Sequence, residues 1–99
     1  MQVQVHSIHF DADQKLIDFL NEKVGKLQQF HEHILNGEVF LRLEPADDRQ
    51  NKLVEIKISV PGKDLFAKKN STTFEEAAEG AVEALRRQIR KYRTKKGIA

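Results

Sequence analysis

The sequence predicts an α+β domain of order β-α-β-β-β-α, a four-stranded mixed sheet with two helices packed on one of its faces. Three observations carry this expectation. Two long segments repeat apolar residues at three- and four-residue spacings, as amphipathic helices do. Shorter segments alternate apolar and polar residues with period two, as half-buried strands do. The chain has 99 residues, 39% of them hydrophobic and 32% charged. That is the length of one domain, 1–99, with enough apolar surface for one core.

The elements follow in order. Val3 and Val5 alternate with polar neighbours, then the phase shifts to Ile8 and Phe10. This reads as a strand with a bulge or an early end near Ser7. Asp13 is the better N-cap candidate in Asp11-Ala12-Asp13. Leu16, Ile17, Leu20, Val24, Leu27, Phe30 and His31 then form one apolar stripe, predicting a helix over about residues 14–31, and Asn36-Gly37 closes the connection.

Val39, Leu41 and Leu43 mark the second strand, and Pro45 to Asn51 is a polar turn. Val54, Ile56, Ile58 and Val60 alternate with Glu55, Lys57 and Ser59 as the third strand. Pro61-Gly62 is a tight turn, after which Leu65 and Ala67 mark a shorter fourth strand. The last helix opens with a capping box, Thr73-Phe74-Glu75-Glu76. Its apolar stripe is Phe74, Ala78, Ala81, Val82, Leu85, Ile89 and Tyr92. A strand, helix and strand suggest a parallel crossover, followed by an antiparallel meander. One apolar face per strand places both helices on the same side of the sheet.

Composition excludes several functions. With no cysteine, disulfides, thiolate metal sites and a cysteine nucleophile are ruled out, which fits a reducing cytoplasm. No apolar run reaches the ~18–20 residues of a membrane helix. The start, Met-Gln-Val-Gln-Val-His, lacks a basic region followed by an apolar stretch, so no secretory signal is expected. Ser7, Ser59 and Ser71 sit in no nucleophile elbow, and there is no glycine-rich phosphate loop. Two histidines at 31 and 33 would diverge by ~200° on a helix, without an obvious third ligand. We therefore expect no enzyme, no metal and no cofactor, and read these histidines as helix C-terminal residues facing the dipole.

Charge is the informative feature. Residues 1–50 carry 5 Lys/Arg against 9 Asp/Glu, a net −4, and residues 51–99 carry 12 against 6, a net +6. Arg86, Arg87, Arg90, Lys91, Arg93, Lys95 and Lys96 stand without an acid among them, and residues 94–99 are expected to form a flexible basic tail. On a helical wheel Arg87, Lys91 and Lys95 line one flank of the apolar stripe, and Arg86, Arg90 and Arg93 the other. Cations at such spacing meet successive phosphates, and arginine adds bidentate phosphate bonds and base stacking. Complementing the helix dipole and keeping the surface soluble account for part of this run, but seven bases exceed what capping requires. Lys57, Lys63, Lys68 and Lys69 could extend the patch, although strand-edge lysines also guard against edge aggregation. A polyanion partner follows: nucleic acid ahead of an anionic membrane surface.

Three stretches together resemble a known family. Lys26-Leu27-Gln28-Gln29-Phe30, with Ile34 after it, is similar to a Lys-Leu-Glu-x-aromatic segment closing the first helix. Val54 to Val60, a turn, and Leu65-Phe66-Ala67 resemble its third and fourth strands. Phe74 to Ala78, then Leu85-Arg86-Arg87-Gln88-Ile89-Arg90-Lys91, resembles a final helix that reads Leu-x-Arg-Gln-Leu-x-Lys. The family is that of the ribosome-associated inhibitor A and sigma-54 modulation proteins, and from the length we expect one of its short hibernation-promoting members. Departures are Thr73 for a usual Asp, Glu75-Glu76 after the aromatic, Gln28 for Glu, and Lys68-Lys69-Asn70 for small residues.

The resemblance implies a stress or stationary-phase translation inhibitor that binds the small ribosomal subunit and its ribosomal RNA in the tRNA and mRNA channel. Carried over residue by residue, it implies Lys26, Arg87 and Lys91 as RNA contacts. Arg86, Arg90, Arg93, Lys95 and Lys96 extend them on the charge argument. The protein is expected to be cytoplasmic and monomeric off the ribosome, with a second ribosome-dimerising protein as a further candidate partner. Two other readings stay open. One is a general double-stranded RNA-binding domain, which this fold also resembles. The other is an interaction module for an acidic protein.

Overall fold

The hairpin at the centre of the chain fixes the sheet. In the computed structural model, which describes residues 1–45, 49 and 51–95, β3 (Lys52–Val60) and β4 (Lys63–Ser71) pair antiparallel from Lys52↔Ser71 to Val60↔Lys63. Gly62, between them, has φ +86°, as the third position of a type II turn requires after Pro61. β2 (Asn36–Leu43) pairs antiparallel with β3, and β1 (Gln2–Ser7) pairs parallel with β2. The mixed sheet runs β1-β2-β3-β4, as the sequence predicts.

Four local expectations need correction or refinement. β4 is not short. Its polar end, Lys68 to Ser71, stays in register with β3, because backbone pairing continues where side-chain alternation fades. Asn36-Gly37, read as the close of the connection, is already the start of β2. Gly37 is buried, and a Cβ there would stand 3.0 Å from Ile58 Cδ1 and 3.5 Å from Val24 Cγ1. The helix expected over 14–31 is two pieces: α1 (Gln14–Gly25), then a 3₁₀ helix, Lys26–Phe30. Finally, Thr94 and Lys95 are not part of a tail but the last turn of α2 (Phe74–Lys95). Lys96 and the rest of 96–99 lie outside the described residues, as do 46–48 and 50 of the expected polar turn.

The helix starts match the sequence. Asp13 Oδ1 accepts from Leu16 N–H at 2.8 Å. Thr73 Oγ1 accepts from Glu76 N–H at 3.1 Å, but the Glu76 carboxylate accepts from Ser71 Oγ at 3.2 Å instead of completing the capping box. β1 ends at Ser7, and His9 turns the chain at φ 66°. Phe10 then packs back, its ring stacked on Phe74 at 5.3 Å.

Both helices cover one face. Leu20 and Val24 of α1, Leu85 and Ile89 of α2, and Val39 and Ile56 of the sheet are all fully buried. The other face carries Glu38, Phe40, Lys57 and Phe66, which alternate with the core positions. Among the described residues no helix is long and apolar enough to cross a membrane.

Candidate nucleic-acid interface

α2 is a helix with two ends of opposite charge. Glu75, Glu76 and Glu79 are exposed over its first turns, and Arg87, Arg90 and Lys91 are exposed near its last. This polarity favours the helix through its dipole. The apolar stripe along its inner face, closed by Tyr92, whose hydroxyl donates to the Pro61 carbonyl at 2.8 Å, holds the basic end against the sheet.

The cations at that end are not equivalent. Arg86 grips Glu83 through two nitrogens, one of them at 3.1 Å. That hydrogen bond, with the charges of Arg86, Arg87 and Arg90, holds the Glu83 carboxyl below its ordinary value despite some desolvation. The same bond raises Arg86. Arg87 approaches Glu83 only at 3.9 Å. Arg93 Nη1 donates to the Phe30 carbonyl at 2.7 Å, tying α2 to the 3₁₀ helix. Arg90 and Lys91 have no ion-pair partner among the described residues. Arg87, Arg90 and Lys91 are therefore the cations best placed to meet an incoming phosphate.

The remaining sequence candidates fall in different places. Lys26 is exposed at the start of the 3₁₀ helix, 3.4 Å from Glu22. Lys57 lies on the open sheet face, 3.0 Å from Glu38, and this pairing raises its pKa. Lys68 shares that face, alternating with the buried Leu65 and Ala67, so neither extends the α2 patch. Lys63 is exposed where β4 begins. The stem of Lys69 runs over Gly80 in the first half of α2, its Cγ 3.3 Å from where a Cβ would sit. Lys95 belongs to the last turn of α2, and Lys96 lies outside the described residues.

Two residues depart from their sequence reading. His31 is buried, 5% exposed, at the end of the 3₁₀ helix, edge-on to Tyr92 and to His33 at 5.4 Å each. Burial above all, then the nearby His33 and Arg93, lowers its pKa against a weaker opposing pull from Glu32. It is a neutral packing residue, not a solvated dipole partner. Phe30, expected in the apolar stripe, is 37% exposed, with the Arg86 guanidinium 5.8 Å from its ring centre. The 3₁₀ helix advances ~2.0 Å per residue against ~1.5 Å in an α-helix, and carries Phe30 past the packed interior. Gly25, a weak helix residue inside the stripe, is the sequence signal for this break.

Comparison with known proteins agrees with this architecture. The sequence profile of the family described as "Sigma 54 modulation protein / S30EA ribosomal protein" matches residues 3–97. The "Ribosome hibernation promoting factor" of Pseudomonas putida is 25% identical over 95 residues, covering 96% of this chain and 89% of that protein. The "Ribosome hibernation promotion factor" of Bacillus subtilis is 27% identical over 95 residues, and there the chain spans 50% of its relative. A ribosomal subunit interface protein from Coxiella burnetii shares the fold with a TM-score of 0.84 at 19% identity, over 95% of this chain and 99% of that one. The Thermus thermophilus Protein Y N-terminal domain does so with a TM-score of 0.78 at 18% identity, over 94% of this chain and 100% of that one.

Proposed function

The chain belongs to the sigma 54 modulation protein / S30EA ribosomal protein family, and from that premise we propose that it inhibits translation by binding the small ribosomal subunit in the tRNA and mRNA channel. It contacts ribosomal RNA there and promotes ribosome hibernation in the cytoplasm under stress or in stationary phase. The observation that supports this most is the exposed set Arg87, Arg90 and Lys91 on a helix whose other end is acidic. Phosphate-rich RNA is the partner such a set attracts. The protein acts by occupying the channel, without turnover, and is monomeric off the ribosome.

The test is sedimentation of the tagged protein with ribosomes on sucrose gradients, with and without RNase. Co-migration with the small subunit that disappears after RNase, and that weakens steeply between roughly 50 and 200 mM salt, is expected from counterion release. Equal affinity for any RNA duplex would make the protein a general double-stranded RNA binder instead. RNase-resistant binding would point to an acidic protein partner.

A further inference from the structure

Of the exposed large apolar side chains among the described residues, Phe30, Leu35, Leu43 and Phe66, Phe30 is the one that lies against the basic end of α2. Arg86 sits over its ring, and Arg93 holds its carbonyl. Beside it opens a cleft of about 420 Å³, within the size range of small-ligand sites. Gln28, Gln29 and Phe30 line it from the 3₁₀ helix, with His31, His33 and Arg93 around them and Glu32 the one acid among its described lining residues. Each group has a matching use. An aromatic ring stacks on any base, because every base has a π-face. Side-chain amides pair with base edges. Gln28 Oε1 already accepts from the Met1 amino group at 2.7 Å, which leaves its NH₂ to donate, and Gln29 is exposed. The mouth of the cleft is polar, with His33 3.7 Å from Glu32 and Arg93 already bonded to the Phe30 carbonyl.

We propose that this cleft receives one unpaired nucleotide of RNA, its base stacked on Phe30 and its edge met by the side-chain amides of Gln28 and Gln29. This rests on the RNA-binding reading above and adds to it a site for a flipped base. Arg90 lies on the same flank of α2 as Arg86 and Arg93, so an RNA held by Arg90 lies on the cleft's side of the helix. The two contributions differ in kind. The exposed cations act through salt-dependent phosphate contacts, whereas stacking is insensitive to salt and tolerant of base identity.

The experiment pelleting the protein with purified bacterial small subunits over a salt series separates them. Phe30→Leu keeps an apolar side chain of similar bulk, so the melting temperature should hold. Affinity for the subunits should fall roughly 5- to 150-fold, the usual range for losing one base stack, with the salt slope unchanged because no ionic contact is lost. Phe30→Tyr should restore binding, since its ring stacks equally well. If Phe30→Leu pellets like wild type, or if Phe30→Tyr fails to rescue, the nucleotide site is wrong while RNA binding by α2 stands. If wild type itself fails to pellet, or does so regardless of RNase, the RNA reading falls and the nucleotide site with it.

Discussion

Replacing Arg87 and Lys91 together by alanine removes two exposed cations, four residues apart on the outer flank of α2, and leaves the buried stripe untouched. Arg87 reaches Glu83 only at 3.9 Å with its side chain 60% exposed, and such exposed pairs contribute little to stability. Alanine is also the best helix former, so the melting temperature should stay close to that of wild type. Binding should respond differently. Each phosphate contact adds ~0.7–0.9 to the slope of log affinity against log salt, so losing two lowers that slope by ~1.4–1.8. Over a fourfold rise in salt, the variant should then lose about tenfold less affinity than wild type, from a weaker starting point. Leu85→Ala is the control in the opposite sense. Leu85 is fully buried, and the truncation should cost about 2–5 kcal/mol, lowering the midpoint by roughly 10 °C or more in a domain of this size. Paired melting curves and subunit-pelleting assays read both effects. A folded Arg87/Lys91 variant that pellets like wild type with an unchanged salt slope would refute the assignment of this helix to RNA.

Three further outcomes follow from single contacts. The folded pKa of His31 lies below its ordinary 6.5, so between these values the unfolded chain binds more protons. Stability should therefore hold above about pH 6.5 and decline as pH falls toward the folded value, and His31→Phe should flatten that decline in melting temperature between about pH 7.5 and 5.5. Gly37→Val places side-chain atoms where even a Cβ meets Ile58 Cδ1 at 3.0 Å. Overpacking there should cost about 1–3 kcal/mol, read as a lower urea midpoint. Glu83→Gln removes the acid that neutralises Arg86, so subunit binding should tighten and its salt slope steepen, and a weaker complex would show that Arg86 must be held by Glu83 to act.

Much of the fold was legible because its periodicities are clean. Val54, Ile56, Ile58 and Val60 alternate without interruption, and a strand buried on one face tolerates no other register. Asp13 and Thr73 announced their helices through side-chain oxygens that satisfy backbone donors only a few residues away. The basic run of α2 was equally plain, since charge is a property of composition. In each case the interactions that decide the structure are local.

The tertiary structure decided what depends on distant partners. Asn36-Gly37 reads in sequence as the close of a connection, yet Gly37 is fixed by Ile58 and Val24, residues brought beside it only by folding. Lys57 counts as a cation in sequence, but cross-strand pairing sets it against Glu38 on the face away from α2. Phe30 fits the apolar stripe by spacing, and only the tightening after Gly25 and the grip of Arg93 bring it to the surface beside Arg86. Sequence alone thus determined the elements, the core face and the sign of the surface charge. That Lys57 is paired and that the Phe30 ring meets solvent depended on neighbours far along the chain, because cross-strand pairing and burial are set by proximity in space.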